Sequence, residues 1–257
     1  INGIDHADAI LMVGTNPRRE APVLNARIRK RYVSGGVQIA SIGEDADLTY
    51  PYANLGNSVS ILKDLAAGKG DFAKTLEDAE HPMIIIGQGA LSRSDGAAIL
   101  SLARTAAEKL GMINKSTGWN GFNVLHTAAA RVGGLDLDFV PGSNGRDVAG
   151  ILDGAETGDI KAVYLLGADE IDTSKLSKAF EIYQGHHGDV GAHCADVILP
   201  GAAYTEKSGT YVNTEGRVQV GRLAVFPPGE AREDWSIIRA LSETVGKQLP
   251  YDNLQQV

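Results

Sequence analysis

Short apolar runs, most of them ended by glycine, alternate along this chain with longer segments that are apolar on one side only. Residues 9–13 (AILMV) stop at Gly14-Thr15-Asn16-Pro17, the pattern of a buried parallel strand with a loop at its carboxyl end. Residues 22–32 predict a helix: Pro22 suits a first turn, and Val23, Leu24 and Ile28 make a partial apolar stripe. Residues 37–42, closed by Gly43, predict a second strand and complete a βαβ unit whose crossover is right-handed. A helix is expected within 55–70 from Val59, Ile61, Leu62 and Leu65, with Gly68 and Gly70 as its stop, and a shorter one over 72–79. Residues 83–86 predict a third strand running into Gly87-Gln88-Gly89. The clearest helical period is 95–110, apolar at Ile99, Leu102, Ala103, Ala106 and Leu110, with Gly111 placed to end it.

The next stretch, 111–145, is rich in glycine, and a helix is expected over 124–132. Another short helix is expected over 147–153, then a strand over 161–166 with its exit loop at Gly167-Ala168-Asp169-Glu170. Residues 173–183 carry no single period. The apolar run 197–199 predicts a last parallel strand, stopped by Pro200-Gly201. After it, alternating Thr210-Tyr211-Val212-Asn213 and the turn-prone Glu215-Gly216-Arg217 predict a short hairpin. Residues 234–246 predict a final helix through Trp235, Ile237, Ile238, Leu241 and Val245. Strand and helix alternate throughout. The expected class is therefore α/β, doubly wound and mostly parallel. Two Rossmann-like halves, 1–111 and 151–257, are joined by the glycine-rich region 112–150; a single sheet built from both is the alternative.

Composition narrows the function more than the fold. Of 257 residues, 43% are hydrophobic and 22% charged, the ordinary balance of a globular protein. No apolar run approaches the length of a bilayer span. The opening Ile-Asn-Gly-Ile-Asp lacks an initiator Met and a signal core, which reads as a fragment of a longer chain. A net charge of −8 argues against nucleic acid as a partner. The one basic cluster, 27–31, reads as a solvated helix face or a contact with a neighbouring acidic subunit. A single cysteine, Cys194, makes neither an internal disulfide nor an iron–sulphur site.

Candidate chemistry belongs at the carboxyl ends of the strands: 14–18, 43–47, 87–90, 167–169 and 200–209. None of these loops is a full G-x-G-x-x-G fingerprint; Gly87-Gln88-Gly89 comes nearest. The chain has no phosphate loop of the G-x-x-x-x-G-K-[ST] type and no G-x-S-x-G elbow. His186 and His187 read as polar loop residues, Arg217 as a salt-bridge partner of Glu206 or Glu215, and Trp119, Phe122 and Trp235 as core or interface anchors.

The stretch 195–219, ADVILPGAAYTEKSGTYVNTEGRVQ, resembles the signature of the molybdopterin oxidoreductase superfamily. Together with GTNPRREAPVLNARIRKR, IGEDADLTYPY, PMIIIGQGAL, VYLLGADEID, YQGHHGD and FPPGEAREDW, it resembles one branch. That branch is the large iron–sulphur subunit family of respiratory complex I, the proton-translocating NADH–quinone oxidoreductase. The resemblance covers nearly the whole chain. It implies a groove that holds a pterin dinucleotide in the active enzymes, with Thr15, Asn16, Pro17, Asp196 and Glu206 on matching positions. It further implies that the groove is vestigial here, with no catalytic, cofactor-binding or metal-binding residue. The 2Fe-2S and 4Fe-4S clusters would lie in an N-terminal part of the subunit outside this chain. The expected role is a non-catalytic structural domain, with other subunits of the complex I peripheral arm as partners. The expected place is the cytoplasmic face of a bacterial inner membrane or the mitochondrial matrix side. The alternative is the cofactor-binding domain of an active molybdopterin oxidoreductase. Glu206 discriminates: buried and hydrogen-bonded it serves packing, facing an open polar cavity it serves binding.

Overall fold

All five residues of β1 (Ala9–Val13) are buried, and the strand has a parallel partner on each side. The computed structural model describes residues 2–257, which divide into two units. The first comprises residues up to Val132 together with Val212–Arg217. The second comprises Gly133–Tyr211 and Val218–Val257. The division thus falls inside the glycine-rich region.

In the first unit β1 is followed by α1 (Pro17–Glu20), α2 (Pro22–Val33), β2 (Gln38–Ile42), β3 (Ala53–Gly56), α3 (Val59–Ala66), α4 (Asp71–Asp78), β4 (Pro82–Ile86), α5 (Gln88–Leu91) and α6 (Gly96–Lys109). Then come β5 (Ile113–Asn114), β6 (Trp119–Asn120) and β7 (Phe122–Val124). Strands β3-β2-β1-β4-β7 form one parallel sheet in that order. Alternation along the strands sorts their side chains between two helical layers. Ala9, Leu11, Val13, Ile84 and Ile86 pack with Leu62, Leu65, Leu76, Ile99 and Ala103 from α3, α4 and α6. Ile10, Met12, Met83 and Ile85 pack with Ile28 of α2 on the other face. Each of the Val, Leu, Ile and Met side chains among these, when fully buried, contributes about 1.5–3 kcal/mol.

Two local expectations are corrected. Residues 124–132 are not a helix. β7 takes 122–124 because its backbone pairs with β4, Ile84 opposite Phe122, and Leu125 N–H continues the ladder to Ile86 O at 2.8 Å. A helix begins only at α7 (Arg131–Asp136), which buries no residue. Strand β3 was not foreseen. Its ANLG sequence has no apolar run, and its pairing with Ala40 and Ser41 of β2 supplies the order.

The second unit continues with α8 (Val148–Thr157), β8 (Ala162–Leu166), β9 (Phe180–Gly185), α9 (Val190–Cys194), β10 (Val197–Pro200), β11 (Gly209–Val212, its last residue counted with the first unit), β12 (Val218–Gly221) and α10 (Asp234–Thr244). Helix α8 is capped by the Asp147 carboxylate, which accepts from Gly150 N–H at 2.8 Å, and it ends on Gly158 at φ +83°. Strands β10-β9-β8 form a parallel sheet. Its apolar cluster is small: Ala155, Val163, Leu165, Leu176 and Tyr183.

The exits of β1 and β4 touch backbone to backbone. A Cβ placed on Gly87 would lie 2.4 Å from Gly14 O and 2.5 Å from Thr15 Cβ. Gly87→Ala adds one methyl group and is expected to cost about 1–3 kcal/mol, and Leu11→Ala, which empties the sheet centre, about 2–5 kcal/mol. Both are read as a drop in the urea midpoint of the first unit.

Candidate functional site

A doubly wound sheet opens a crevice where neighbouring strands send their connections in opposite directions. In the first unit that place is β1 and β4: β2 and β3 lie to one side, β7 to the other. The two exit loops close directly on each other. Gly14 turns with φ +56°, and a Cβ there would lie 2.5 Å from the Ala90 Cβ. The open space is therefore displaced toward β2. A crevice of ≈ 500 Å³ is lined there by Val13, Gly14, Thr15 and Asn16, by Ile42 to Ala46, and by Asn57, Val59, Arg93 and Ile99.

Thr15, Asn16 and Pro17 thus stand together in one loop, and Thr15 and Asn16 reach the crevice. One donor of each is already used. Thr15 Oγ1 donates to Glu20 Oε2 at 2.9 Å, and Asn16 N–H donates to Glu20 Oε1 at 2.6 Å. Asn16 Oδ1 is buried without a hydrogen-bond partner, and Pro17 is buried as the first residue of α1. Glu20 was not singled out from the sequence. A carboxylate four residues after an Asn-Pro helix start was the available signal, since it reaches back to the first free N–H groups. On the rim, Glu44 and Asp45 are exposed. Asp45 accepts from the Tyr52 hydroxyl at 2.6 Å, a bond that holds its carboxyl below the usual range. Arg93 is paired with Asp95 at 2.7 Å.

The three arginines of the basic cluster on α2 are engaged within their own unit. Arg27 Nε donates to Asp5 at 3.1 Å, Arg29 Nε to Thr49 O at 3.1 Å, and Arg31 Nε to Ala7 O at 2.8 Å. The Arg29 bond fastens the loop after β2, where Thr49 holds φ +73°, and Asn25 adds a bond to Leu48 O at 3.0 Å.

In the second unit a hollow of ≈ 530 Å³ lies at the carboxyl ends of β9 and β10, lined by His186, His187, Pro200, Tyr204, Glu206 and Glu230 among others. Glu206 is half-buried; its carboxylate accepts from Ala203 N–H at 3.0 Å while the residue borders the hollow. Asp196 is elsewhere. It precedes β10 at the amino end, where its carboxylate accepts from Glu181 N–H at 2.9 Å. His186 and His187 have ring centroids 4.3 Å apart, and His187 is exposed. Among the described residues no three His, Cys, Asp or Glu side chains are grouped to hold a metal ion. Arg217, in the first unit, pairs with Glu215 at 3.0 Å.

What anchors the loop 201–209 is a polar chain that carried no signal in the sequence. Gln184 on β9 is fully buried. It accepts from the Tyr164 hydroxyl and donates through Nε2 to Asp234 Oδ1 at 2.8 Å. Asp234, the first residue of α10, forms an ion pair with Lys207. Glu233 accepts from Ser208 N–H at 3.1 Å and from Trp235 Nε1 at 2.7 Å. The EKSG and REDW segments are therefore one structural element.

The sequence pattern of the family described as molybdopterin oxidoreductase matches residues 1–244. The chain is 49% identical over 254 residues to the NADH-ubiquinone oxidoreductase 75 kDa subunit of Reclinomonas americana, covering 99% of this chain and 36% of that protein. It is 50% identical over 258 residues to the mitochondrial NADH-ubiquinone oxidoreductase 78 kDa subunit of Candida albicans, covering 100% of this chain and 34% of that protein. It is 46% identical over 257 residues to an NADH-quinone oxidoreductase subunit of Rickettsia typhi, covering 100% of this chain and 36% of that protein. The chain thus spans about a third of the length of these relatives. In fold it resembles acetylene hydratase from Pelobacter acetylenicus, with a TM-score of 0.57 at 11% identity, over 96% of this chain and 50% of that one.

Two measurements test the second unit. Glu181 is buried, and one carboxylate oxygen has no partner; burial, with the nearby Asp196 carboxylate, pushes its pKa up. A raised carboxyl pKa leaves more protons on the folded state, so stability falls as pH rises from the ordinary carboxylate range through the folded value. Glu181→Gln is expected to gain stability over the parent chain across that rise and to match it in acid, measured by urea melts from pH 4 to 8. Asp234→Ala is expected to free the loop around Lys207, seen as faster tryptic cleavage there.

Proposed function

The chain belongs to the molybdopterin oxidoreductase family, and from that premise we propose that it is a non-catalytic structural domain of the large iron–sulphur subunit of NADH–quinone oxidoreductase. In this reading it supports electron transfer from NADH to quinone through 2Fe-2S and 4Fe-4S clusters held by other parts of that subunit. Its partners are then further subunits of the peripheral arm, and it sits beside the membrane on the cytoplasmic or matrix side. Among the described residues no helix is long and apolar enough to cross a membrane.

The observation that carries the reading is the position of Glu20. The turn after β1 is where a doubly wound fold presents N–H and hydroxyl donors to a ligand phosphate. Here the Glu20 carboxylate accepts from both the Thr15 hydroxyl and the Asn16 N–H. Glu44 and Asp45 add two further carboxylates to the lining, and the one guanidinium there, Arg93, is paired with Asp95. These residues do not fit the pyrophosphate of a pterin dinucleotide: the Thr15 hydroxyl and the Asn16 N–H are already given to Glu20, and three carboxylates oppose the charge of the ligand. With Thr15, Asn16 and Pro17 committed to the local turn, and Glu206 bonded to Ala203 N–H, the groove residues serve packing. The competing reading, a cofactor-binding domain of an active molybdenum enzyme, needs those donors free.

Elemental and fluorescence analysis of the purified subunit separates the two readings. We expect no molybdenum and no pterin on release by acid; a stoichiometric amount of either sinks the structural reading. Independently, Asn16→Ala introduced into the assembled NADH–quinone oxidoreductase is expected to leave NADH oxidation per assembled complex within about twofold, an energetic change of under ~0.5 kcal/mol.

A further inference from the structure

The segment 133–140, where the second unit begins, is folded but leaves its apolar side chains in solvent. Helix α7 buries no residue. Its end is nevertheless fixed by two bonds: Phe139 N–H donates to Gly134 O at 2.8 Å and Asp138 N–H to Leu135 O at 3.0 Å, with Asp138 at φ +55°. In this pattern a left-handed residue, usually glycine, stops a helix. An apolar contact commonly accompanies it, between the residue after the turn and the helix residue five before. Here that contact is missing, because the earlier residue is Gly134. Phe139 is therefore 88% exposed and Leu137 84%, with Leu135 and Val140 exposed beside them. Asp136 and Asp138 alternate with these side chains, and neither carboxylate makes a hydrogen bond or ion pair among the described residues. The backbone thus holds an aromatic ring and two carboxylates in place for a contact that this chain does not supply.

Resting on the reading of the chain as part of a longer subunit, we propose that Phe139 and Leu137 dock into an apolar pocket, rimmed by Lys or Arg, on the part of the same polypeptide that lies outside these residues. Size points to a tethered partner. A stable contact between free proteins takes about 800 Å² and 20–30 residues on each side, whereas the apolar surface of this segment is that of Leu135, Leu137, Phe139 and Val140. So small a surface holds a partner that is already tethered, because the freedom lost on association is not lost a second time. The relatives have such a tether: the chain spans about a third of their length. Charge sets the chemistry of the rim. Across a two-fold axis Asp136 and Asp138 would face their own copies, and an anionic lipid surface would repel them. Opposite Lys or Arg they are matched.

The test is photo-cross-linking of the full-length subunit, free and assembled, with p-benzoylphenylalanine in place of Phe139. The cross-link is expected within the same polypeptide, to a peptide outside residues 1–257 that contains Lys or Arg. Replacing both Asp136 and Asp138 by Asn is expected to lower its yield about 3-fold, the scale of an exposed ion pair. Phe139→Ala, at an exposed side chain, is expected to speed amide exchange of residues 133–140 in the full-length subunit by ~10-fold, because the segment then loses its anchor. A cross-link to another subunit, to a second copy, to lipid or within residues 1–257 overturns the proposal, as does no cross-link or an exchange rate that Phe139→Ala leaves unchanged. The outcome is separable from the proposed function. A subunit absent from the NADH–quinone oxidoreductase refutes that function, while an intramolecular cross-link in the free subunit still upholds this contact.

Discussion

The close approach of two backbones, at Gly14 and Gly87, governs the first unit. β1 and β4 are adjacent and parallel, and both carry apolar five-residue sequences buried along their whole length. They can lie side by side to their last residues only if the turns that follow do not collide. Gly14 meets this with a left-handed turn, and Gly87 meets it by presenting no side chain to Gly14 O and Thr15. The contact leaves no room at the switch point itself, so the cavity opens to one side, against β2. The same turn brings Thr15 and Asn16 within reach of Glu20.

The two units are held by different means. In the first, strand alternation feeds two large apolar layers, and the polar side chains of α2 chiefly fasten loops. In the second, the apolar cluster is a handful of residues, and buried polar pairing does more of the work. Gln184, entirely out of solvent, is satisfied on one side by Tyr164 and on the other by Asp234. Its bonds connect the middle of a sheet to the start of α10 and, through Lys207, to the loop after β10. A buried network of this kind is specific because a half-made version is worse than none. Glu181 is the counterexample in the same sheet: a buried carboxyl with an unpartnered oxygen beside a second carboxylate, at a cost to the unit above acid pH.

Most of the strands and helices were legible because a five-residue apolar run bounded by glycine has few other fates. β1 and β4 are such runs, and α6 carries a helical period over its whole length. β3 and β7 were not legible, because ANLG and FNV have no pattern apart from the neighbours that pair with them. Of the groove residues, Thr15, Asn16 and Pro17 were placed in one loop by adjacency alone. Asp196 and Glu206 read as parts of one motif, yet they stand at opposite ends of β10, since an extended strand carries its two flanks apart.

Linear pattern was enough to establish the alternation of strands and helices, the parallel and doubly wound class, and the kinship with molybdopterin oxidoreductases. These reside in local periodicity and in contiguous motifs, which survive in one dimension. It took the folded chain to assign the donors after β1 to Glu20, to make Gln184 the buried joint of the second unit, and to open the space beside Glu44. Each depends on which groups a folded backbone brings within hydrogen-bonding distance. A side chain's partner, unlike its period, is set by the whole chain's path and not by its neighbours in sequence.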